Sequence, residues 1–172
     1  AEVKILHVYY APIIDLVPIT DAYSIQVDMD INLQEMERRA RKNLLAFVQD
    51  IKEQAAERQM SHIKMGYTLR EGIVEDEISR VASAYKPGII IAGTRGKGDT
   101  QSDIIGSVIY RVLDKTRVPV LAIPESSSFE AGKEVRNIIY ATDFDQNDYV
   151  AIRRLLNILS AFKVKIWCVH VS

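Results

Sequence analysis

Residues 88–125 read GIIIAGTRGKGDTQSDIIGSVIYRVLDKTRVPVLAIPE, and this stretch decides the fold. Ile89, Ile90, Ile91 and Ala92 form a run with no polar member, the pattern of a parallel strand covered on both faces. The run breaks into Gly93-Thr94-Arg95-Gly96-Lys97-Gly98, and a polar loop follows. Val108, Ile109, Val112 and Leu113 then recur at helical spacing up to Lys115. Residues 118–123 make another apolar run, ended by Pro124. Strand, helix and strand in that order describe a parallel βαβ unit with a right-handed crossover.

Upstream the same alternation holds. Residues 3–9 (VKILHVY) read as a strand that is nearly continuous in its apolar character. Residues 11–30 hold Pro12, Pro18 and apolar residues without a period, and are read as a long loop. From 32 to 58, Leu33, Met36, Ala40, Leu44, Phe47, Val48, Ile51 and Ala55 recur at three and four, the stripe of an amphipathic helix. Residues 63–68 read as a strand. After Gly72, the spacing of Ile78, Val81, Ala82 and Tyr85 gives a helix stopped by Lys86-Pro87-Gly88.

Downstream, residues 125–134 form a linker rich in Ser and Gly. The pattern then resumes with a strand over 135–141, a helix over 149–162 and a strand over 165–171. Alternating strands and helices predict an α/β fold with a doubly wound parallel sheet. His170-Val171 repeats His7-Val8 at an offset of 163 residues, about one domain length, as a tandem repeat would. The domain reading is therefore residues 1–124, the linker, and residues 135–172 as the opening β-α-β of a second repeat.

Composition narrows the function. Lys plus Arg number 22 against 23 for Asp plus Glu, so no global positive field gathers nucleic acid or anionic membrane, and phosphate recognition must be local. No apolar stretch reaches the roughly 18 residues of a membrane span. The sequence opens on charged and β-branched residues rather than a signal peptide, and the lone Cys168 excludes an internal disulfide and a thiolate zinc cage. A reducing, cytoplasmic setting fits. Cys168 is expected buried, and His7 and His170 are expected as packed, hydrogen-bonded histidines rather than ligands.

The chemical signal is Gly93-x2-Gly96-x9-Gly106-Ser107, set between the end of an apolar strand and the start of a helix. Glycines let backbone amides approach phosphate oxygens, and a helix N-terminus adds unpaired N–H donors and a favourable dipole. The Ser107 hydroxyl adds a further donor, and the charged Arg95 can pair with a phosphate.

The quoted 88–125 segment resembles the C-terminal half of a universal stress protein domain. The nucleotide-binding branch of that family carries G-x2-G-x9-G-[ST], which this sequence matches without a gap. NIIYATDFDQNDYVAIRRLL (137–156) resembles the family's opening strand and helix, and VKILHVYY (3–10) its second strand. The resemblance implies a five-stranded sheet of order 3-2-1-4-5, adenine nucleotide alpha hydrolase-like, and a stress-response module of tandem type without dedicated catalysis. It implies ATP as ligand, with Mg2+ held by phosphates and water. Gly93, Arg95, Gly96, Gly106, Ser107 and Val108 would hold phosphates and ribose, Thr142 and Asp143 would lie beside the adenosine, and Val8 would touch adenine through its backbone. It also implies a homodimer. On this pattern residues 1–124 lack the first strand and helix of their own repeat. Residues 135–141 are expected to complete the sheet, within one chain or by exchange, with the second strand of each repeat competing for one position.

Other readings are separated by residues. An adenylating or ATP-hydrolysing relative usually carries S-G-G-x-D-S after its first strand, where this sequence has Ala141-Thr142-Asp143-Phe144. A phospho-accepting receiver needs an acidic pair and a Lys after the last strand, where Pro124-Glu125 stands. A module that dimerises through strand 118–123 without binding nucleotide is the remaining alternative.

Overall fold

A strand, a helix and a second strand parallel to the first is the recurring step of this molecule. In the computed structural model, residues 1–10, 22–94, 106–124, 126–127, 135–160 and 162–170 are described, with backbone alone over 22–31. The elements run β1 (Glu2–Tyr9), α1 (Ala22–Glu57), β2 (Lys64–Glu71), α2 (Val74–Tyr85), β3 (Ile90–Gly93), α3 (Ser107–Lys115), β4 (Val120–Ile123), β5 (Asn137–Thr142), α4 (Gln146–Ile158) and β6 (Lys165–His170). The strands pair in parallel as β1–β2, β3–β4 and β5–β6. Each pair is bridged by one helix, α1, α3 or α4, and α2 leads from the first pair to the second.

The chain divides into two compact units, Ala1–Pro124 and Glu125–Ser172. In the first, Ala40, Leu44 and Val48 lie one turn apart on α1 and are buried where that helix packs on β1 and β2. A second cluster, Ala82 of α2 with Ile109 and Val112 of α3, is buried where α2 packs on α3. The β3–β4 pair is covered on one side only: Ile90, Ala92, Val120 and Ala122 are half-buried, while Ile91, Leu121 and Ile123 are exposed.

Charge binds α2 to α3. Glu75, Asp76 and Glu77 occupy the first turn of α2, where acidic groups complement the helix dipole. Glu75, 8% exposed, meets Arg111 of α3 at 2.6 Å, and Asp76 pairs with Lys115 at the other end of α3. The turn before α2 needs its glycine. Gly72 sits at φ +141°, and a Cβ there would come within 3.3 Å of Glu77. The helix ends at Lys86, whose left-handed conformation (φ 51°) returns its N–H to the Ala82 carbonyl before Pro87 blocks continuation.

The second unit is thinner. Tyr140, Thr142 and Ile166 are half-buried beside Ile152 and Leu155 of α4, whereas Ile139, Trp167 and Val169 on the opposite face of the sheet are exposed.

Three expectations change. Residues 22–30, read as loop, belong to α1, because beyond Pro18 nothing interrupts the helix and each added residue extends an existing hydrogen-bonded ladder. Residues 11–21 lie outside the described set. Cys168 is exposed rather than buried, since a sheet of two strands leaves most of its surface open, and His7 and His170 are exposed for the same reason. The sheet appears as three strand pairs. Among the described residues no strand bonds to the second edge of β1, β3 or β5, so the order 3-2-1-4-5 is not seen.

Candidate phosphate-binding site

Gly93 is the last residue of β3 and pairs with Ile123 of β4. The next amide, Thr94, donates to the Ile123 carbonyl at 3.0 Å, and the Thr94 carbonyl accepts from the Gly106 amide at 2.7 Å. Strand end and helix start are thus joined, and residues 95–105 leave from and return to one point. Arg95 and Gly96, the remaining phosphate candidates of this loop, fall outside the described residues, as does Lys97.

Gly106 is the N-cap of α3, extended at φ −61° and ψ 149°, with no side chain to cap the helix. Its own amide is spent on Thr94, so the free donors come one step later. Ser107 and Val108 open the first turn, where helix amides have no partner in the helix's own ladder. That ladder begins with the Tyr110 amide donating to the Gly106 carbonyl at 3.2 Å. Ser107 is exposed, Val108 half-buried, and Ile109 and Val112 are buried, fixing the helix beneath. No acidic residue stands in the first turn of α3, whereas α2 carries three. The positive end of α3 is therefore left to an outside anion.

Val8 lies near the end of β1, half-buried and paired with Arg70. Thr142 and Asp143 are in the second unit, at the tip of β5. Thr142 Oγ1 donates to the Asp148 carboxylate of α4 and accepts from the Phe144 amide at 3.0 Å. Tyr140 donates to the other Asp148 oxygen at 2.8 Å. The bonds from Thr142 and then Tyr140 hold the Asp148 carboxyl below its usual range, and burial, with the bond to Asp148, pushes the Tyr140 phenol up. Asp143 is exposed, and its Oδ1 accepts from the Asp145 amide at 3.1 Å, which fixes the turn.

Sequence reasoning missed three residues here. Asp148 binds β5 to α4; its position three residues after the N-cap Asp145 is a helix-start signal that could have flagged it. Phe144 adopts a left-handed φ of 65° and stacks on His170 with ring centroids 4.3 Å apart. His170 Nδ1 lies 3.0 Å from the Thr142 carbonyl, so the expected hydrogen bond exists although the ring is exposed. No periodicity signals that contact. Among the described residues no cluster of His, Cys, Asp and Glu could hold a metal ion, and no helix is long and apolar enough to cross a membrane.

The model of the universal stress protein family matches residues 1–124. Among solved structures, the hypothetical protein MJ0577 is similar at a TM-score of 0.55 and 23% identity, covering 74% of this chain and 78% of that one. The hypothetical protein PH0823 is similar at a TM-score of 0.50 and 27% identity, over 74% and 78% of the two chains. A universal stress protein in complex with cAMP aligns at a TM-score of 0.38 and 17% identity, over 73% and 75%. No curated protein matches the sequence.

Proposed function

This chain belongs to the universal stress protein family, and from that premise we propose that it is a regulatory module that binds ATP and has no dedicated catalysis. The observation that carries the reading is the start of α3. Two first-turn amides, Ser107 and Val108, stand uncapped behind a glycine N-cap, with no acid nearby and an exposed hydroxyl beside them. Such a donor set fits a phosphate chain, whose charge the helix dipole favours. Arg95 and Gly96 extend the cradle on the family pattern, and Thr142, Asp143 and the Val8 backbone serve the nucleoside. Mg2+ arrives with the nucleotide, held by its phosphates and by water.

Within this reading Gly106 has a different duty from its neighbours. Its amide closes the loop, and its missing Cβ keeps the approach to Ser107 clear. The protein binds and does not turn over. Nucleotide occupancy stabilises the bound conformation by mass action, worth about 2.7 kcal/mol at a hundred times the dissociation constant. The module acts in the cytoplasm as a homodimer that reports on nucleotide supply under stress.

Melting the full chain with and without Mg-ATP, with product assayed in the same samples, tests the reading. A rise in Tm without ADP formation supports it. Stoichiometric turnover would move the protein to the enzymes of the wider group, and no rise at saturating ATP would leave only a nucleotide-free interaction module.

A further inference from the structure

Three strands in this molecule each have one bonded edge and one free edge among the described residues: β1, β3 and β5. Each is the first strand of its βαβ unit. We propose that β5 of one copy adds in parallel to the free edge of β3 of a second copy, reciprocally, giving a closed two-fold dimer.

Handedness makes the two edges complementary. A crossover from β5 to β6 and one from β3 to β4 are both right-handed. Joined through their first strands, the two units run in opposite directions along the new sheet β6–β5–β3–β4. Their helices must then fall on opposite faces, so α4 and α3 cover different sides. Each unit by itself shows an apolar face that lacks a cover: Ile91 (65% exposed), Leu121 and Ile123 in one, Ile139 (74% exposed), Trp167 and Val169 in the other. Union sets each bare face beside the other unit's helix layer.

Of the two free strands that could meet β3, β5 is the one in need. β1 already has α1 and α2 packed on it, whereas β5 has cover on one face only. Its sequence, NIIYAT, is apolar on both faces, as an interior strand's is.

A second copy suits the junction better than the same chain. Returning from β4 to β5 over a right-handed path would lay the linker across Ile91, Leu121 and Ile123, the face that α4 is to cover. Between two copies that conflict is absent. Exchange of a β-α element is also a low-cost route to a symmetric dimer. The junction depends on strand edges alone. Only its consequence rests on the nucleotide reading: the switch point between β5 and β3 brings Asp143 of one copy beside Gly93 and Ser107 of the other.

Light scattering after size exclusion should give twice the 19.5 kDa chain mass. Ile139→Asp and Ile91→Asp, each placed where the side chain is exposed in the structure, should give monomers with an unchanged far-UV spectrum. Mixing the two monomeric variants should restore a heterodimer, since each supplies the edge the other has lost. A wild-type monomer at every concentration, or variants that remain dimers, would overturn the proposal. ATP binding by such a monomer would leave the proposed function standing.

Discussion

At the scale of single residues, Asp148 shows how a side chain can matter without touching a ligand. It ties Tyr140 and Thr142 at the tip of β5 to the first turn of α4, and so sets the direction in which Asp143 leaves the strand. Its carboxyl titrates below the ordinary value of 3.8 because the Thr142 and Tyr140 bonds, which favour the charged form, outweigh burial. A depressed folded-state pKa stabilises above the unfolded pKa, and the contribution is lost as pH falls through the folded value. The Thr142 and Phe144 amide resonances should therefore hold steady down to the ordinary carboxylate range and shift only below it. In Asp148→Asn that acid transition should vanish; a midpoint at or above 3.8 in the wild type would refute the linkage. Glu35 is a useful contrast. Hydrogen bonds from Arg38 and Arg39 pull its pKa down to about 2, yet the arginines are mostly exposed, and removing either should leave the unfolding midpoint in place.

At the scale of elements, burial decides which ion pair counts. The Glu75 side chain is 11% exposed where it meets Arg111, so Arg111→Ala would strand a nearly buried carboxylate between α2 and α3. A cost of about 1–3 kcal/mol is expected, read as a lower urea midpoint with unchanged slope. The same contrast between cover and exposure explains what could be read beforehand. Periodicity located α2, α3 and both glycine-flanked strands to within a few residues, because burial on one face leaves a regular trace, as at Ile109 and Val112. It failed where no buried face imposes a period: the first turns of α1, where helix continues by cooperativity alone, and Cys168, whose apolar neighbours suggested a core that two strands do not build. At the site, glycine spacing pointed to α3 but not to the division of labour in which Gly106 closes the loop and Ser107 and Val108 keep free donors. That distinction depends on one hydrogen bond between Thr94 and Gly106. Phe144 and His170, 26 residues apart, meet only through the pairing of β5 with β6.

At the scale of the whole molecule, the account comes down to the uncapped positive end of α3. Ser107→Pro isolates it. Proline is favoured at the first helical position, and Gly106 already holds the extended conformation that a following proline requires. The substitution removes one amide donor and one hydroxyl while leaving the helix intact. Isothermal titration of ATP into wild-type protein and Ser107→Pro is the most direct measurement. Wild type should bind one nucleotide per site, and the variant should bind about tenfold to a hundredfold more weakly at an unchanged ligand-free Tm. Equal affinity in the two proteins would contradict a phosphate held at the start of α3.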